Sequence, residues 1–185
     1  MKLSQRTVRL TVQISLLVAL AATSAFMLLR PYLGDTETIY KNGAVTEVVQ
    51  QGPVTIEQVQ WKLESLEEYT QLVDTEKKTI SLDQPAGSVI ILATIAITPL
   101  DGVKLGAGGF FCTAKLRDDR GNLWPSQDAF DFALPTRCSD DDHPFVRNKT
   151  GQLAQVYVVP KSAVPHLSGI QIENQSDYRR VLLTR

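Results

Sequence analysis

The sequence predicts an all-β fold: a β-sandwich domain preceded by one N-terminal transmembrane α-helix. Three observations carry this. About twenty consecutive residues, Leu10 to Leu29, hold no charge, and as a helix they reach roughly 30 Å, the thickness of a bilayer's hydrocarbon core. From Val59 onward, apolar positions recur with a period of two in a series of short segments. Those segments are parted by Gly, Pro, Asp and Asn, with no helix-rich region, internal repeat or low-complexity tract between them.

Charge orients the first element. Lys2, Arg6 and Arg9 precede the apolar run, whereas only Arg30 follows it closely before Asp35 and Glu37. The positive-inside rule therefore keeps residues 1–9 cytoplasmic, assigns 10–30 to the helix as a signal anchor, and places the rest outside. The competing reading is a cleaved signal peptide, since Ala19-Leu20-Ala21 fits a small-x-small site behind a basic segment. Apolar character continues to Leu29, which favours the uncleaved anchor, and both readings put the remainder in the extracytoplasmic space. No cysteine lies near the end of the apolar run, so a thioether lipid anchor is excluded. Ala21 and Ala25, four residues apart, are the candidate helix-packing face, although small residues also suit a helix that merely faces lipid. Residues 31–45 are polar and glycine-punctuated, the composition of a linker, with Tyr32 placed where an interfacial aromatic is useful.

The ectodomain, 46–185, is read strand by strand. In VQWKLES, Val59, Trp61 and Leu63 alternate with polar residues. ESLEEYTQL (64–72) has apolar spacing closer to helical but continues that strand. Ser88 to Thr98 is apolar on both faces and rich in β-branched residues, bounded by Gly87 and Pro99, as expected of a central strand. Gly109 to Arg117 alternates and closes on the turn Asp118-Asp119-Arg120-Gly121. Phe130, Phe132 and Leu134 predict a further strand, Leu153 to Val159 another closed by Pro160, and Ile170/Ile172 and Val181 to Leu183 the last two.

Composition narrows the function. The 185 residues are 43% hydrophobic and 21% charged with a formal net charge of −1, so one domain is the default and no basic stripe for nucleic acid exists. Cys112 and Cys138 form an even pair in a segment assigned to an oxidising compartment, which predicts a disulfide. His143 and His166 belong to no paired-imidazole spacing, and His166, after Pro165, reads as a solvated loop residue. Asp140, Asp141, Asp142 and His143 are the metal candidates. The EF-hand order is absent, however, and three adjacent carboxylates repel one another into solvent, so the expectation is an exposed acidic turn with no metal. No nucleophile elbow and no marked carboxylate pair nominate a catalyst. The glycines of 102–109 lack a phosphate-loop order and read as a hairpin connection, and Asn148-Lys149-Thr150 is a formal glycosylation sequon.

The segments PAGSVIILATIAIT and LRDDRGNLWPS, the pattern G-x-L-x-x-x-Y-V-V-P, and a following Gly-Ile-x-Ile strand together resemble a bacterial family of extracytoplasmic immunoglobulin-like domains of unknown function. These are membrane-anchored as lipoproteins or by one helix, particularly in actinobacteria. The likeness runs from Ser88 to Ile172, lacks the lipobox, and does not extend to the cysteine pair. It implies an immunoglobulin-like β-sandwich, with 152–160 as its penultimate core strand, and implies no reaction. The expected function is a non-enzymatic, single-pass extracytoplasmic interaction module without cofactor. It would be an accessory subunit whose partners are the bilayer and another membrane or envelope protein, for example in a respiratory or secretion assembly. A ligand- or metal-binding envelope domain and a hydrolase on an unmarked site are the alternatives.

Overall fold

The computed structural model describes residues 5–29, 36–103, 112–129, 132–139 and 143–185. It contains two compact units, Met1–Gly43 and Ala44–Arg185.

The first unit holds helix α1 (Gln5–Leu29) and a short helix α2 (Thr36–Lys41). Ala21 and Ala25 are exposed on α1, one helical turn apart. Thr23 folds its hydroxyl back onto the Ala19 carbonyl at 2.6 Å, which satisfies that polar group within the helix. Among the described residues no helix is long and apolar enough to cross a membrane. The expected span over 10–30 is therefore not found among the described residues, outside which residue 30 lies. Within the expected linker, Glu37 and Lys41 pair across one turn and support α2.

The second unit is a β-sandwich. One sheet runs β1 (Glu47–Gln50), β9 (Arg179–Thr184), β8 (Leu167–Asn174), β5 (Ala114–Asp118), β6 (Leu123–Pro125); the other runs β2 (Val54–Ile56), β3 (Val59–Tyr69), β4 (Ser88–Pro99), β7 (Gly151–Pro160). β1 pairs parallel to β9 and the remaining pairs are antiparallel. The two sheets share one core. Trp61, Leu63, Ile91, Ile95, Leu153 and Tyr157 from one meet Leu116, Ile170, Ile172, Val181 and Leu183 from the other, and burial of this apolar surface is the main force holding the layers together. Of the four edge strands, β1, β2 and β6 have four, three and three residues and offer little template for pairing with another chain, whereas β7 has ten.

The apolar run of β4 has its explanation in a second cluster. Val89, Ile91, Ala93, Ile95 and Ile97 face the shared core. Ile90 and Leu92 face the opposite way, against Leu72, Ile80, Leu82, Ala129, Phe132 and Leu134 from two loops. A strand buried on both faces loses the in-out alternation of a half-exposed one.

One expectation is corrected here and two are narrowed. The irregular spacing of 64–72 comes from a β-bulge between Leu63 and Ser65, after which Leu66 resumes the core face, and the strand ends at Tyr69. Phe132 and Leu134 belong to no strand; they cover the outer face of β4 and β7 from a loop held by Gln127 N–H to the Val156 carbonyl and Ala154 N–H to the Pro135 carbonyl. Of the strand expected from Gly109, only 114–118 is extended among the described residues. β1, β2 and β6 carried no sequence signal strong enough to single them out, and the stretch before the Ile170 strand is a 3-10 turn, Lys161–His166.

Candidate functional site

Cys112 and Cys138 are joined, their Cα atoms 5.7 Å apart, within the normal range for a disulfide. Cys138 is buried in the core that spans the two sheets. The bridge fixes the origin of the segment that leads to Asp140, Asp141 and Asp142, which lie outside the described residues. His143, exposed, begins the next described stretch. Among the described residues no three His, Cys, Asp or Glu side chains gather closely enough to hold a metal ion.

The stretch after His143 builds a surface groove of about 360 Å³. Phe145 forms its base, packed so closely on the start of β7 that a Cβ on Gly151 would lie 2.8 Å from the ring. Leu134, Pro135, Pro144 and Val146 add apolar walls, with His143 and Lys149 at the margin. Val146 is 55% exposed although apolar. The segment is held in place from the far side: Arg147 donates to the Val103 carbonyl at 2.9 Å, and Asn148 N–H to the Pro99 carbonyl at 2.7 Å. Asn148, the sequon residue, has φ +57° and donates its side-chain amide to Asp101. One wall of the groove is the outer edge of β7. Ala154 N–H points outward there, toward Pro135, and because outward-pointing groups alternate along a strand, those of Gln152 face the same side.

A second concavity, about 540 Å³, opens at one end of the sandwich between Ile56, Val59 and Trp61 on one sheet and Ile172 and Glu173 on the other, with Val103, Cys112 and Thr113 beside them. Trp61 is 4% exposed, and its indole N–H has no acceptor. Leaving such a donor buried and unpaired costs about 1–3 kcal/mol. Among the described residues the hydroxyl of Thr184 is likewise buried without a partner. The Tyr157 hydroxyl lies 2.7 Å from Gln155 Oε1 and 3.2 Å from the Ala114 carbonyl, reaching from β7 to β5 across the core. Burial pushes that phenol's pKa far above its ordinary value, so it stays a donor.

His166, expected to be a solvated loop residue, is instead clamped. Its Nδ1 is 3.1 Å from Asp119 Oδ2, and its Nε2 faces the Arg120 guanidinium. A guanidinium only donates, so Nε2 accepts and Nδ1–H donates to Asp119. Among the described residues no serine or cysteine is hydrogen-bonded to this imidazole, so the cluster is a carboxylate-oriented histidine without a nucleophile. What joins these residues is the 3-10 turn packing back on the β5–β6 turn, Asp119 N–H donating to the His166 carbonyl at 2.9 Å. Nothing in the local sequence of either segment signals that meeting.

No protein-family model and no curated protein sequence matches this chain. Among solved structures it is similar to an uncharacterized β-sandwich protein from Clostridium difficile 630, with 11% identity, covering 75% of this chain and 93% of that one at a TM-score of 0.46. It is also similar to a conserved hypothetical protein from Bacillus anthracis, with 10% identity, covering 69% and 88% of the two chains at a TM-score of 0.45.

Proposed function

We infer that this chain is a membrane-anchored extracytoplasmic interaction module, an immunoglobulin-like β-sandwich that binds another membrane or envelope protein as a non-enzymatic accessory subunit. The single observation that carries the reading is the groove beside β7. It combines an exposed Val146, walls of proline and leucine, and the adjoining strand edge at Gln152, beyond the point where the 127–135 loop is bonded to β7 at Ala154 and Val156. That combination suits an extended segment of a partner, which adds main-chain hydrogen bonds to apolar side-chain contacts.

Further observations support the location and the fold type. The uncharged stretch Leu10 to Leu29 behind a basic N-terminus suits an anchor with its N-terminus inside, and the Cys112–Cys138 disulfide suits an oxidising compartment. The order β9-β8-β5-β6 facing β3-β4-β7, with the chain crossing between sheets after β1, β4, β6 and β7, suits an immunoglobulin-like arrangement.

The test is extraction of the full chain in mild detergent. The expected result is recovery at fixed stoichiometry with one other membrane or envelope protein, and release of that partner by Val146→Glu with the thermal unfolding midpoint unchanged. Recovery of the wild-type chain only as a free monomer contradicts the reading.

A further inference from the structure

The chain's asparagines stand at 42, 122, 148 and 174. Three of them have the carboxamide held: Asn122 donates to Asp118 Oδ2 at 2.8 Å, Asn148 to Asp101 at 3.0 Å, and Asn174 to Asp177 at 2.9 Å. Their successors, Leu123, Lys149 and Gln175, all carry a side chain that crowds the next backbone nitrogen. Asn42 differs in both respects. It is exposed, its carboxamide bonds to nothing among the described residues, and Gly43 follows it. No atom lies within 4 Å of where a Cβ on Gly43 would stand, so the Gly43 nitrogen is open to approach.

The pair closes the first unit, directly after α2. Asn42 N–H donates to the Thr38 carbonyl and Gly43 N–H to the Tyr40 carbonyl, both at 3.0 Å. Gly43 has φ +77°, the left-handed conformation in which glycine commonly ends a helix. We propose that Asn42 is a self-modifying site, whose carboxamide is lost through a succinimide at a rate set by the fraying of α2. The Gly43 nitrogen gives up its proton to hydroxide and attacks Asn42 Cγ; the Cγ–Nδ2 bond breaks and ammonia leaves. Water then opens the five-membered imide at either carbonyl, leaving aspartate or isoaspartate. The net change is amide plus water to acid plus ammonia. Because the attacking nitrogen is the one that caps α2, the Gly43–Tyr40 bond must open first. With six residues, α2 is about half the length at which an isolated helix becomes even marginal in water, so that opening recurs. The product resists recapping, since a carboxylate at a helix C-terminus meets the negative end of its dipole. Isoaspartate also lengthens the main chain by a methylene, two residues before Ala44, whose carbonyl Arg180 holds at 2.9 Å.

The test holds the full chain in detergent micelles at mildly alkaline pH for days, then digests it and resolves each asparagine peptide by mass and by the separation of aspartate from isoaspartate. The expected result is conversion at Asn42 at least tenfold faster than at 122, 148 or 174, with both products formed. Glu37→Gly, which removes the ion pair across α2 and lowers its helix propensity, is expected to speed conversion severalfold. Gly43→Val is expected to slow it at least tenfold by crowding the nitrogen, although valine also strains the cap. Conversion at Asn42 no faster than at the other three, aspartate as the only product, or acceleration by Gly43→Val overturns the site. A rate that Glu37→Gly leaves unchanged overturns the control by α2. No groove residue is altered and no partner is required, so these outcomes leave the interaction reading to its own test.

Discussion

At the scale of single residues, Asp118 shows how one carboxylate organises a turn. Its Oδ1 accepts the backbone N–H groups of Asn122 at 2.7 Å and Arg120 at 3.0 Å, and its Oδ2 accepts the Asn122 side-chain amide at 2.8 Å. Burial works to raise the pKa, but the hydrogen bonds from Asn122 and Arg120 outweigh it, and the group sits below its ordinary value. A carboxyl depressed in the folded state stabilises the fold above its unfolded pKa of about 3.9, and that contribution fades as pH falls through the lower folded value. Asp118→Ala is expected to cost about 1–3 kcal/mol at neutral pH in urea unfolding. The difference between wild type and Asp118→Asn should stay flat above about pH 5 and shrink below pH 4. The turn itself was legible from Asp118 to Gly121, because aspartate and glycine carry local conformational preferences. The lone indole N–H of Trp61 was not, because whether a donor finds an acceptor depends on segments distant in the chain.

At the scale of elements, strands were legible where one face is wet and obscure where tertiary packing decides the pattern. Val59, Trp61 and Leu63 announce β3, but the extra residue at Glu64 shifts the register and gives the following residues a helix-like spacing. Phe132 and Leu134 read as strand residues, since covering a sheet demands apolar side chains just as forming one does. β8 contains a sharper constraint. Gly169 has φ +154°, and a Cβ there would sit 2.0 Å from the Leu183 carbonyl oxygen of β9, next to the register shift between β5 and β8. Neither backbone can yield without breaking the ladder, so Gly169→Ala is expected to destabilise by at least about 3 kcal/mol. A thermal midpoint within a degree or two of wild type would show that β8 and β9 have room to separate.

At the scale of the whole molecule, the sheets are held by a shared apolar core, by the Tyr157 bond across it, and by the disulfide. Cys112 and Cys138 are 26 positions apart, and closing that loop disfavours the unfolded chain by about 3.5 kcal/mol on the chain-entropy view. Reduction, or replacement of both cysteines by serine, is expected to lower stability in urea by about that amount and to raise the denaturant slope, because the unbridged unfolded chain exposes more surface. A shift under about 1 kcal/mol would mean the core alone restrains the segment after Cys138. The sandwich class was legible from strand number and turn spacing, whereas the groove was not: its walls come from residues 134–135 and 144–146, brought together by Phe145 packing on Gly151.

The partner-binding role is tested most directly by a photo-activated cross-linking residue placed at Val146 in the full chain within native membranes, with the same residue at half-buried Lys115 on the other sheet as the control. One discrete product with a single membrane or envelope protein, formed from position 146 and not from 115, is the expected outcome. No product at 146, or the same products from both positions, would contradict it.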